Sequence, residues 1–79
     1  MTDAEILDAV VETAREHLQW QGEVRTDMQL VEDLQLDSLK LLTLAVAIED
    51  RFRIRLDDVE SELVTVGDLV ATIRSRHAS

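Results

Sequence analysis

Apolar residues recur at Ile6, Leu7, Val10, Val11, Ala14 and Leu18, while Asp8, Glu12, Arg15 and Glu16 fall mostly on the other side. Spacings of three and four predict an amphipathic helix over about residues 3–18. Thr2 and Glu5 stand where a capping box would start it. From 19 to 36 no period is sustained, and Gly22, Thr26 and Asp27 mark a long connecting loop. A loop of that length is normally functional or pinned by its own side chains. Trp20, Val24 and Met28, with the aliphatic Leu30, Val31, Leu34 and Leu36, are the candidate pins.

Periodicity returns over about 38–51, which predicts a second helix. Leu41, Leu44, Ala45, Ile48 and Phe52 form its core-facing stripe. Leu39, Leu42 and Val46 form another stripe on roughly the opposite side. One apolar face is enough to hold a surface helix, so the second stripe is either buried by another element or a docking patch. Next, Phe52, Ile54 and Leu56 alternate with Arg51, Arg53 and Arg55, as in an extended segment with its arginines in solvent. Asp57–Glu62 could form a short acidic helix anchored by Val59 and Leu63. A last helix is predicted over about 66–76, capped by Thr65 with Asp68 at its third position. Val66, Leu69, Val70 and Ile73 supply its buried face, and Arg74, Arg76 and His77 complement the negative pole of its dipole. The expected fold is all-α: one domain over residues 1–79, with three main helices, a short fourth one and a long first connection.

Composition narrows the function. The chain has 79 residues, 17 acidic and 8 basic, for a formal charge of −9. Such acidity argues against nucleic acid or an anionic membrane as the main partner and makes basic protein surfaces the expected complement. The surplus is uneven, because residues 1–38 hold ten acidic and two basic side chains and residues 39–79 hold seven and six. Trp20 and Phe52 are the only aromatic residues, so the core must be aliphatic. Without cysteine there is no disulfide framework and no thiolate, and any thiol chemistry needs an imported thiol. The N-terminus lacks the features of a secretion signal. The longest nearly apolar run, Leu41 to Ile48, falls far short of the roughly 20 residues that span a bilayer. A cytoplasmic monomer without membrane insertion is the expectation.

Candidate chemistry converges on one serine. Asp37 suits an N-cap, since its carboxylate can accept hydrogen bonds from the first helical turn. Ser38 then lies at the positive end of the helix dipole, where an ester-linked phosphate would meet backbone donors and a favourable field. Hydrolytic use of Ser38 lacks support: there is no Gly-x-Ser-x-Gly elbow, and His17 and His77 lie near the ends of other helices. The histidines lack metal-ligand spacing, and Glu32-Asp33 and Asp57-Asp58 do not reproduce a calcium loop. No catalytic or metal residue is expected.

Asp37-Ser38-Leu39, preceded by Val31-Glu32-Asp33-Leu34 and followed by Ala47-Ile48-Glu49-Asp50-Arg51-Phe52, resembles the attachment-site region of the acyl carrier protein family. Thr65-Val66-Gly67-Asp68-Leu69-Val70 resembles the start of that family's last helix, so the likeness covers most of the chain. It implies a carrier that is not itself an enzyme. A phosphopantetheinyl transferase would move 4′-phosphopantetheine from coenzyme A to Ser38, and the terminal thiol would hold acyl groups as thioesters. The likeness also favours docking for the second stripe, in which Leu39, Leu42 and Val46, flanked by Lys40, Thr43, Glu49 and Asp50, would meet acyl-loading, condensing or acyl-transfer enzymes with basic surfaces.

Some positions depart from the family pattern. Gln35 stands where glycine is frequent, Lys40 and Thr43 where fatty-acid-synthesis members are often acidic, and Asp57 where proline is common. These departures imply a carrier for a specialised fatty-acid, polyketide or other secondary-metabolite pathway. An aminoacyl or peptidyl carrier is the nearest rival. In another class, an unmodified acidic interaction module would use Asp37-Ser38 only as a cap.

Overall fold

The computed structural model describes residues 2–59 and 62–77. Three helices organise it: α1 (Asp3–Leu18), α2 (Ser38–Phe52) and α3 (Val66–His77). Among the described residues there is no strand, and α1 packs against both other helices. The expected capping box of α1 is present, with Glu5 N–H donating to Thr2 Oγ1 at 3.2 Å and Thr2 N–H to Glu5 Oε1 at 3.1 Å. Gln19 closes α1 in the left-handed conformation. Arg53 closes α2 in the same way, at φ 56°.

The core is aliphatic, with Phe52 its one buried aromatic residue. α1 contributes Ile6, Val10 and Ala14 as its spacing implied, together with Ala9 and Thr13. Thr13 tolerates burial because its hydroxyl donates to the Ala9 carbonyl at 2.7 Å. From α2 come Leu44, Ala45, Ile48 and Phe52, while Leu41 at the edge of that stripe is only half-buried. Val66, Leu69, Val70 and Ile73 complete the core from α3. α2 runs one residue beyond the expected end, through Phe52, yet the alternation holds: Phe52, Ile54 and Leu56 are buried, and Arg51, Arg53 and Arg55 are exposed. The expected short helix over 57–62 includes Glu60 and Ser61, which lie outside the described residues. Around them, Val59 N–H donates to the Leu56 carbonyl and Glu62 N–H to that of Val59, and Leu63 is buried.

The long loop is held by both side chains and backbone. Leu30, Leu34 and Leu36 are buried, and Trp20, Val24 and Met28 pack on the core. Val31 departs from expectation and is 55% exposed. The reason is a tight turn over 29–34, in which Asp33 and Leu34 both donate to the Gln29 carbonyl, so Leu30 and Leu34 face inward and Val31 outward. Backbone bonds then tie the loop to the start of α3. Leu30 N–H donates to Val64 O at 2.9 Å, Val66 N–H to Met28 O at 2.9 Å and Gly67 N–H to Thr26 O at 2.8 Å. A Cβ on Gly67 would lie 3.0 Å from that Thr26 oxygen, so this close approach suits glycine.

A reciprocal cap completes the junction. Thr65 Oγ1 accepts from Asp68 N–H at 3.0 Å, and the Asp68 carboxylate accepts from the N–H groups of Thr65 at 3.1 Å and Val64 at 3.2 Å. Those backbone bonds, Thr65's foremost, hold the Asp68 carboxyl below its ordinary pKa. A group lowered in the folded state adds stability that is complete above its unfolded value, about 4, and is lost as pH falls through the folded value. Denaturant titrations from pH 7 to pH 3 should therefore show stability falling at the acid end. Asp68→Asn should be less stable at pH 7 and lose part of that acid slope. A variant with an unaltered slope would show that the cap is not a source of acid sensitivity.

Candidate attachment site and docking face

Leu36 is buried and its N–H donates to the Leu30 carbonyl at 3.3 Å, which fixes the chain two residues before Ser38. Asp37 then takes the N-cap position in extended conformation, and its Oδ1 accepts from Lys40 N–H at 2.8 Å. Ser38 is the first residue of α2 and is exposed. The Leu41 N–H is used by the Asp37 carbonyl, whereas those of Ser38 and Leu39 have no acceptor among the described residues. Two free donors therefore sit at the positive end of the α2 dipole beside an accessible hydroxyl.

Among the described residues, no side chain is hydrogen-bonded to that hydroxyl. His17 lies beside a shallow depression formed by Leu42, Val46 and Asp50, and His77 rests edge-on against Phe52 with ring centroids 5.7 Å apart. Among the described residues no group of three or more acidic or histidine side chains could hold a metal, and no helix is long and apolar enough to cross a membrane.

Among the described residues, no element covers the second stripe of α2. Leu39 is 72%, Leu42 46% and Val46 52% exposed. Lys40 and Asp50 are exposed beside it, and Lys40 has no ion-pair partner among the described residues. Thr43 is half-buried and turns its hydroxyl back to the Leu39 carbonyl at 2.9 Å. Glu49 has a structural engagement: it is half-buried, and its Oε2 accepts from Leu56 N–H at 2.6 Å, which ties down the chain after α2. Sequence periodicity did not place His17 beside this face, because that depends on how α1 and α2 pack.

The phosphopantetheine attachment site family model matches residues 8–73. An acyl carrier protein of Exiguobacterium sibiricum is 38% identical over 78 residues, covering 96% of this chain and 99% of the relative. One from Wolinella succinogenes is 39% identical over 72 residues, 89% of this chain and 95% of the relative. A solved structure from Mycobacterium tuberculosis, described as a provisional acyl carrier protein, superposes with a TM-score of 0.82 at 30% identity, covering 89% of this chain and 96% of that one. The chain belongs to the acyl carrier protein family. As such it is a carrier and not an enzyme, its prosthetic group is phosphopantetheine, and it works with a phosphopantetheinyl transferase and acyl-handling enzymes.

The residues present fit that group. An acyl carrier protein needs an accessible hydroxyl where a phosphodiester can be solvated by donors, and the first turn of α2 supplies both. Its approach loop contains one non-glycine residue with positive φ away from any helix end, Gln35 at 57°. This backbone angle explains physically why glycine suits the position: an L side chain is strained there and glycine is not. Gln35→Gly should raise stability by about 0.5–1 kcal/mol, relief of strain outweighing the extra freedom of glycine in the unfolded chain. Thermal unfolding would read this as a gain of several degrees. A lower Tm would mean that the Gln35 side chain contributes more than its backbone conformation costs.

Proposed function

We propose that Ser38 is the residue that carries phosphopantetheine, and that the exposed face of α2 presents the loaded carrier to its enzymes. The observation that supports this best is the exposed Ser38 hydroxyl at the first position of α2, next to two free backbone N–H groups. When attached, the arm supplies a terminal thiol that holds acyl groups as thioesters. The chain's own contribution is to keep Asp37 engaged with Lys40 N–H so that the helix end stays formed, and to leave Ser38 in solvent for the transferase. Leu39, Leu42 and Val46 offer partners an apolar strip, with Lys40, Thr43 and Asp50 setting its charge and Glu49 holding its far end. Tethering keeps an intermediate at high effective concentration near the docked enzyme. In this reading residues 1–79 act as one monomeric carrier unit in the cytoplasm.

Intact mass before and after incubation with coenzyme A and a broad-specificity transferase tests the attachment. Wild type should gain a single phosphopantetheine and Ser38→Ala none. Modification of the alanine variant, or an unmodified wild type after several competent transferases, would overturn the assignment.

The pathway follows from charge on the docking face. Lys40 adds a cation with no ion-pair partner among the described residues, and Thr43 an uncharged side chain, to a face that should meet basic partner surfaces. Like charges across an interface slow association and penalise the wrong partner. We therefore infer a dedicated, specialised pathway rather than general fatty-acid synthesis. The double variant Lys40→Glu with Thr43→Glu should serve general fatty-acid-synthesis enzymes with a higher kcat/KM than wild type while remaining folded. A folded double variant with no gain would remove the main support for a specialised role.

A further inference from the structure

Lysine occurs once in this chain. Of the eight basic residues seven are arginine, and the eighth is Lys40, two positions after Ser38. The two residue types differ in chemistry. A guanidinium stays protonated in proteins and offers no nucleophilic lone pair, whereas a lysine amine, once deprotonated, attacks carbonyl carbon. The only side-chain amine therefore stands beside the residue that carries thioesters in the reading above.

The fold keeps that amine accessible. Ser38, Leu39 and Lys40 are all exposed in the first turn of α2, so the space over this turn is open to a group attached at Ser38. Arg25, Arg51, Arg55, Arg74 and Arg76 are drawn to carboxylates in a chain whose formal charge is −9. Lys40 has no ion-pair partner among the described residues, and no hydrogen bond among them holds its side chain. Its backbone, by contrast, is fixed by the bond from its N–H to Asp37 Oδ1 at 2.8 Å. Residues two apart in an α-helix have Cα atoms about 5–6 Å from each other, on roughly opposite sides of the axis. A flexible arm on Ser38 and the flexible stem of Lys40 together close such a gap at a helix end.

We propose that Lys40 is an acyl-acceptor site: when a loaded carrier stays undischarged, the Lys40 amine takes the acyl group from the thioester on its own chain. The inference rests on Ser38 as the attachment residue. Uncharged Nζ adds its lone pair to the thioester carbonyl carbon, a C–N bond forms and the C–S bond breaks. The sulfur leaves with the bonding pair as thiolate, and the proton lost from nitrogen converts it to the thiol. No further reactant is needed. Lysine amines are mostly protonated near neutral pH, so the step is slow, and tethering makes it count by raising the local concentration of the thioester. Acylation also removes a positive charge. A carrier that has waited too long thus presents a more acidic face to the basic surfaces expected of its partners.

The apo chain is loaded from acetyl-coenzyme A by a broad-specificity transferase and freed at once of excess acetyl-coenzyme A. It is then incubated with ¹⁵N-labelled Ser38→Ala as a bystander until the thioester is spent. Hydroxylamine, which cleaves thioesters and leaves amides, is added before intact mass and fragmentation are recorded. Retained acetyl should lie at residue 40 of the loaded chain, at roughly a hundredfold the level on a bystander present at about 10 μM, as a millimolar effective concentration implies. Lys40→Arg, compared per loaded chain, should retain none. Acetyl retained equally on the bystander, at another residue, or undiminished in Lys40→Arg would overturn transfer to Lys40 within the chain. Loading that leaves no hydroxylamine-resistant acetyl overturns the acceptor site and leaves Ser38 standing. A wild type that never gains acetyl-phosphopantetheine overturns both.

Discussion

Thr26, Met28 and Leu30 are joined by backbone hydrogen bonds to Gly67, Val66 and Val64, a junction between a long irregular loop and the entrance to α3. Irregular backbone leaves polar groups that must find partners, and this loop finds them in a segment more than thirty residues away. With that end fixed, Leu30, Leu34 and Leu36 can insert into the core, and Leu36 delivers the chain to Asp37 in the right place to cap α2. Ser38 is consequently exposed but well positioned. Its site depends on contacts made elsewhere.

Charge is distributed to the same effect. Arg51 pairs with Glu12 at 2.8 Å, Arg74 with Asp3 at 2.9 Å and Arg76 with Asp58 at 2.7 Å, each linking segments distant in sequence. The hydrogen bond from Arg76 holds the Asp58 carboxyl below its ordinary pKa. Exposed pairs of this kind add little stability individually. Their structural consequence is that Arg51, expected in a solvated edge, and Arg74 and Arg76, expected to complement the dipole of α3, turn to acidic neighbours within the chain. Lys40 is different: it has no ion-pair partner among the described residues, and it lies beside both Ser38 and the exposed stripe of α2.

The two faces of α2 divide the labour. Leu44, Ala45, Ile48 and Phe52 are buried and hold the helix against α1 and the loop. Leu42 and Val46 are half in solvent and take no part in the core. Glu49 joins the two faces, since it flanks the exposed stripe while its carboxylate fixes the backbone at Leu56.

Local rules were enough to read much of this from the sequence. Helical periodicity located α1, α2 and α3, and short-range capping chemistry located Thr2, Asp37 and Thr65, because these signals depend on residues within a few positions of one another. The motif around Asp37-Ser38-Leu39 marked the candidate attachment residue by resemblance. Other features were decided only by tertiary structure. Periodicity named the core stripe of α2 but left open whether the second stripe was buried by another element or exposed, and Val31 and Leu30 were equivalent until a turn faced them in opposite directions. Likewise the loop's pairing with α3 and the place of His17 depend on which segments meet in space. No local pattern encodes such meetings, since they result from all the segments competing to bury apolar surface while satisfying their backbone.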